Sequence, residues 1–212
     1  MRVGIINYGV GNLGSVARAL EELKVAPVLL DRAIDMHSTD ALILPGVGSF
    51  AECMQLLHEG GWVDVLHEEV FAYGKPLLGV CLGMQLLADS GTEGVAHGDI
   101  VKGLGFIPGR VEHLATLGCS LRLPHVGWNA IRHTQSVDHL LANIPDETDF
   151  YFVHSYAFFP KEEESILATA HYDVPFSVVV HKGNVWGTQF HPEKSSRAGF
   201  TILRNFIEGP SC

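Results

Sequence analysis

Short apolar, β-branched runs alternate with amphipathic helical stretches over the first half of the chain. That is the pattern of βαβ units whose parallel sheet is covered on both faces. MRVGIINY reads as a strand, Asn12 to Lys24 as a helix, APVLLD as a second strand and ALILPG as a third, which opens into a helical region from Ser49 to about Tyr73. KPLLGV reads as a buried strand and LGMQLLAD, after Cys81, as a helix. After about Gly94 the texture changes to alternating segments punctuated by Gly and Pro: GFIPGRVEHL, RLPHVGWNAI, DFYFVHSYAFF, FSVVVHKG and NVWGTQF. These predict antiparallel additions to the same sheet. Phe200, Leu203, Phe206 and Ile207 fall at helical spacing between Arg197 and Glu208, so a terminal helix is expected to pack its apolar face back on the core. The expected class is α/β, with three layers around a doubly wound, mostly parallel sheet.

Composition narrows this. With 212 residues, 47% of them hydrophobic, the chain can bury one substantial core, and a single domain over residues 1–212 is expected. Lys and Arg number 14 against 24 Asp and Glu, a formal charge of -10, so there is no positive excess to gather a phosphate backbone and no nucleic acid partner is expected. No apolar run reaches the ~20 residues that span a bilayer. The start, MRVGIINYG, has neither a long apolar region nor a cleavage site, and a soluble, cytoplasmic protein without membrane contact is the expectation. Cys53, Cys81, Cys119 and Cys212 share no close pair spacing and no CxxC, which points to reduced thiols.

The chemistry centres on Gly79-Val80-Cys81-Leu82-Gly83, a G-x-nucleophile-x-G elbow with Cys in place of Ser, set between a buried strand and a helix. A sharp strand-to-helix turn strains the backbone of the nucleophile, and Gly79 and Gly83 tolerate it. A thiolate at a helix start also meets unpaired N–H groups, which lower a thiol pKa below ~8.5. Cys53, Cys119 and Cys212 have no such setting and read as buried structural residues. Among 12 histidines, His191 stands out because Gln189-Phe190-His191-Pro192-Glu193 follows an apolar strand. In extended structure His191 and Glu193 share a face, so the carboxylate can orient the imidazole as in nucleophilic triads. Pro45-Gly46-Val47-Gly48 lies just past the third strand, where a backbone N–H near Val47 or Gly48 can join that of Leu82 as an oxyanion hole. No histidines show paired ligand spacing, so no metal and no cofactor is expected.

One motif competes. Gly9-Val10-Gly11-Asn12-Leu13-Gly14 fits G-x-G-x-x-G after the first strand, and Asp31 falls where a dinucleotide fold places its ribose acid. Dinucleotide binding would leave GVCLGMQ and QFHPE unexplained, and stands as the alternative.

Taken together, GVCLGMQ and HPE resemble the class-I, triad-type glutamine amidotransferases, whose fold is flavodoxin-like. Within them NYGVGN, PGVGSF, PHVGWN, FVHSY and QFHPEKS are similar to the glutaminase subunits of imidazole glycerol phosphate synthases, nearly end to end. The cysteine elbow is shared with subunits serving other synthases, such as those of anthranilate or pyridoxal phosphate. The resemblance implies that Cys81 attacks the side-chain amide of L-glutamine and that His191, oriented by Glu193, protonates the departing ammonia. It further implies that Gly46, Gln85 and the backbone of Ser155 and Tyr156 hold the substrate. A cyclase subunit in a heterodimer would receive the ammonia, with Asn12, Trp128, Tyr151 and Lys194 in segments facing it. For Trp128 and Tyr151 core packing is the competing reading, for Lys194 a solvated surface, and His154 reads as structural. The resemblance also implies a Gly46-Val47-Gly48 loop that must reorient before both oxyanion donors point correctly.

Overall fold

Strands that are buried at every position form the centre of the fold, because both of their faces are covered. The computed structural model describes residues 1–96, 99–136 and 138–209, so Cys212 lies outside the described residues. The first half contains β1 (Arg2–Ile6), α1 (Leu13–Glu22), β2 (Ala26–Leu30), β3 (Ala41–Gly46), α2 (Phe50–Glu59), α3 (Trp62–His67), β4 (Leu77–Cys81) and α4 (Leu82–Leu86). The second half adds β5 (Ser90–Gly91), β6 (Val101–Lys102), β7 (Gly109–His113), β8 (His125–Ala130), β9 (Arg132–His133), β10 (Asp149–His154), β11 (Tyr156–Pro160), β12 (Ile166–Tyr172), β13 (Val174–Lys182), β14 (Val185–Thr188) and α5 (Ser196–Glu208).

The main sheet has eight strands in the order β2-β1-β3-β4-β14-β13-β12-β9. β3, β4 and β14 are buried along their whole length, whereas β2, at the edge, is largely part-exposed. Alternate residues of β3 serve opposite layers. Ala41 and Ile43 join a core with Val16 and Leu20 of α1 and Leu203 and Phe206 of α5, while Leu42 and Leu44 join one with Phe50, Leu57 and Leu66 from α2 and α3. The helical region expected from Ser49 to Tyr73 breaks at Gly60-Gly61, where Gly61 takes φ 67°.

The second half differs from the expected set of antiparallel additions. NVWGTQF supplies β14, which runs parallel to β4 after a hairpin back from β13. β13, β12 and β9 do add antiparallel neighbours. GFIPGRVEHL and the end of DFYFVHSYAFF instead pair as β7 and β11 in a separate four-stranded sheet, and β8 pairs with β10 in a two-stranded ribbon. DFYFVHSYAFF is thus two strands, split at Ser155. Its buried positions step by two through Phe150, Phe152 and His154, and the step is lost before Ala157 and Phe158. Each half follows a different partner.

Candidate active site

β3, β4 and β14 are parallel neighbours that end at one edge, with Gly46 opposite Cys81 and Thr188 opposite Val80. Loops leaving the carboxyl ends of such strands are where open α/β sheets build sites. Here those loops are PGVG, the cysteine elbow and QFHPE.

Cys81 has φ 56° and ψ -114°, a strained backbone for any residue with a Cβ. The strain is held by close approach. A Cβ on Gly83 would collide with the carbonyl oxygen of Leu44, and one on Gly79 would lie 2.6 Å from the carbonyl oxygen of Gly83. The Cys81 side chain is nonetheless reachable, since it lines a cavity of about 190 Å³ together with Val47, Gly48, Leu82, Gln85, Ser155, Tyr156 and His191. Gly46 does not line it and packs beneath, against Gly83 and Leu82.

The Nδ1–H of His191 donates to Oε1 of Glu193 at 2.9 Å, which leaves Nε2 buried and without a hydrogen-bond partner. Burial works against a charged imidazole. The Cys81 sulfur and the Glu193 carboxylate outweigh it and hold His191 up at about 9. The contact forms in a 3-10 turn over Pro192–Lys194, not in the extended chain that the alternation predicted. Two bonds fasten that turn to β10, His191 N–H to the Tyr151 carbonyl and Tyr151 N–H to Ser195 Oγ, both at 3.0 Å, and Ser195 O–H closes the turn on the His191 carbonyl at 2.6 Å.

The PGVG loop is held differently. Tyr8 O–H donates to the Pro45 carbonyl at 2.9 Å and the Cys53 thiol donates to the Val47 carbonyl at 3.4 Å. Cys53, read from sequence as inert packing, therefore holds a wall of the cavity. Gly48 takes φ 99°, and neither its amide nor that of Val47 donates a hydrogen bond among the described residues.

On the opposite wall Gln85 Nε2 donates to the Tyr156 carbonyl and to Gln189 Oε1, both at 2.9 Å, while Gln85 Oε1 is buried without a partner. Glu93, which no motif marks, also lines the cavity, and burial pushes its carboxyl up to about 7. A carboxylate among other cavity residues would have been visible only once the fold was known. His154 reaches the cavity too. Burial holds it down at about 3, and its Nδ1–H donates to the Tyr156 carbonyl at 2.8 Å, which makes it a neutral brace.

The four remaining residues singled out by the sequence cluster on one side of the triad. Asn12 Nδ2 donates to Glu193 Oε1 at 3.4 Å, Lys194 Nζ lies 5.9 Å from the centre of the Tyr151 ring, and that ring meets Trp128 edge-on at 6.1 Å. Trp128 is 53% exposed, so it is not a core residue. The G-x-G-x-x-G reading loses its basis here. Its third glycine should allow close helix–strand packing, yet a Cβ on Gly14 would meet nothing within 4 Å, and Asp31 is engaged by Asn7 Nδ2 at 2.7 Å. Among the described residues no cluster of His, Cys, Asp and Glu is arranged to hold a metal, and no helix is long and apolar enough to cross a membrane.

Known proteins resemble the chain along nearly its whole length. The family described as "Glutamine amidotransferase class-I" matches residues 5–209. The protein named "Imidazole glycerol phosphate synthase subunit HisH" from Desulfitobacterium hafniense is 46% identical over 204 residues, covering 96% of this chain and 92% of that one. Its namesake from Acinetobacter baylyi is 40% identical, with 98% of each chain covered. Among solved structures, one titled "Crystal structure of glutamine amidotransferase" superposes with a TM-score of 0.74 at 23% identity over 97% of both chains. At that identity it speaks for the fold.

Proposed function

The chain belongs to the class-I glutamine amidotransferases, and from that premise we propose that it hydrolyses L-glutamine as the glutaminase subunit of an imidazole glycerol phosphate synthase. The observation that carries the mechanism is the meeting of three parallel strand ends, which sets Cys81, His191 and the PGVG loop around one cavity.

Cys81 Sγ attacks the side-chain amide carbon of glutamine. The oxygen of the tetrahedral adduct is taken by the N–H of Leu82, at the open start of α4, and by that of Val47 or Gly48. His191, protonated at Nε2 and steadied by Glu193, gives that proton to the departing nitrogen, and ammonia leaves a γ-glutamyl thioester on Cys81. The same nitrogen then deprotonates a water that releases glutamate. The substrate α-ammonium fits the unpartnered Gln85 Oε1 and the Glu93 carboxylate, whose burial penalises its charge and so favours a cationic partner. The backbone at Ser155 and Tyr156 faces the α-carboxylate. No cofactor enters.

The ammonia is passed to a cyclase subunit. Val126 and Trp128 project from the β8–β10 ribbon at 55% and 53% exposure, beside Tyr151, Lys194 and Asn12. An exposed apolar and aromatic patch of this kind suits a protein partner. Glutamine turnover measured with the cyclase and its nucleotide substrate tests the reading. Turnover that depends on the cyclase and disappears in Cys81→Ala is expected; turnover untouched by that substitution would overturn it.

A further inference from the structure

Gln189 is the residue directly after β14, in the strand beside the one that ends at Cys81, and it is completely buried. A fully buried amide must find partners for both ends. The direction in which this one points follows from its neighbours. The Tyr156 carbonyl can only accept, so the end of Gln85 that meets it is the NH2 group, and the same NH2 group meets Gln189. Gln189 must therefore turn its oxygen to Gln85. Its own NH2 group is left facing the Cys81 sulfur, with Nε2 to Sγ at 3.9 Å, within reach of a sulfur acceptor.

We propose that Gln189 acts in the reaction itself, as a neutral N–H donor to Cys81 Sγ that favours the thiolate and aims it into the cavity. On its other side the sulfur meets the Val153 carbonyl, also at 3.9 Å, an oxygen that a thiol can donate to but that repels a thiolate. Gln189 supplies the opposing interaction. Because its oxygen is engaged by Gln85, it cannot rotate to present that oxygen to the sulfur without breaking the Gln85 bond. His191 can exchange its proton during turnover, whereas the amide donor stays a donor at every step. The thiolate is thus held both before attack and as leaving group when the thioester is hydrolysed.

The inference rests on Cys81 being the nucleophile, and its test is separable from that reading. Gln189→Met keeps the volume and removes both donor and acceptor. The pH dependence of Cys81 alkylation by iodoacetamide, followed by peptide mass spectrometry on the full chain, reports the thiolate directly. The other titratable groups around the sulfur, namely His191 and Glu193 after β14, His154 on β10, Glu93 after β5 and Tyr8 after β1, are the same in both proteins. The midpoint should move up by about one pH unit, as expected for a lost hydrogen bond to a charged acceptor. In the cyclase complex kcat should fall about tenfold with KM within about twofold. A folded Gln189→Met protein with an unchanged midpoint overturns the proposal, even if it melts earlier, since packing alone would lower the melting temperature without moving the midpoint. Gln189→Asn, too short to span Gln85 and Cys81, provides the same comparison if the Met variant does not fold. A wild-type chain without glutamine turnover in its cyclase complex would contradict the nucleophile reading and leave the Gln189 midpoint comparison intact.

Discussion

Two turns face each other across the cavity, and they are built in opposite ways. The elbow from β4 into α4 is clamped by backbone-to-backbone contacts through Gly79 and Gly83 and is almost wholly buried. The turn from β3 toward α2 has Val47 42% exposed and a positive φ at Gly48, and its carbonyls are held by two side chains, Tyr8 and Cys53. In the proposed mechanism the nucleophile and its base are therefore already assembled in the isolated chain, and the more exposed PGVG turn is the side proposed to reorient. A partner docked beside Trp128 has a site to complete rather than one to create. In rate terms one missing oxyanion donor costs roughly two to three orders of magnitude, so low activity of the chain alone is expected.

On the clamped side the largest effect should come from Cys81→Ala, which should lower glutamine turnover in the complex by at least about four orders of magnitude. Glu193→Gln keeps the shape but leaves the imidazole with the wrong partner, and about a thousandfold loss of kcat is expected. Gly83→Ala drives a methyl group into the Leu44 carbonyl and should destabilise the fold by about 3 kcal/mol in denaturant unfolding. The same change at Gly48 meets only the far end of the Glu52 side chain and costs about 1–2 kcal/mol through its φ. Equal losses at the two glycines would break the contrast. Tyr8→Phe frees the Pro45 carbonyl and should change cyclase-dependent stimulation by about tenfold with little change in Cys81 alkylation.

The pH dependence follows from His191. Its folded pKa lies above the ordinary 6.5, so its charged form, and the stability this contributes, is fully present below pH 6.5 and is lost as pH rises through about 9. The protonated form delivers the proton to ammonia, so kcat should decline above about pH 9. A rate that keeps rising past that point would remove His191 as the acid.

Local chemistry was legible in the sequence because elbow and HPE are contiguous and their constraints act over a few residues. Cys81 and Gly83 are neighbours in both chain and space. The parallel placement of β14 was not legible, since strand order depends on pairing between segments about a hundred residues apart, and Val185 shows no local sign of lying beside Leu77. For the same reason Ser155 fell inside what read as one segment, no motif marked Glu93, and Gln189 opened the QFHPE motif without a role of its own. Each gains its meaning from a neighbour brought in by the sheet. Trp128 was open between core and surface because an aromatic in an alternating strand fits either face, and the two-stranded ribbon decides for the surface.

The central claim, that Cys81 is a preassembled nucleophile for a glutamine side chain, is tested most directly with a glutamine-analogue electrophile. The full chain with its cyclase is incubated with the reagent, and the adduct is located by intact mass and peptide mapping. A single adduct on Cys81, formed in step with the loss of glutamine turnover and prevented by glutamine, is predicted. Modification of Cys53 or Cys119 with Cys81 left free, or turnover that survives a fully modified Cys81, would contradict it.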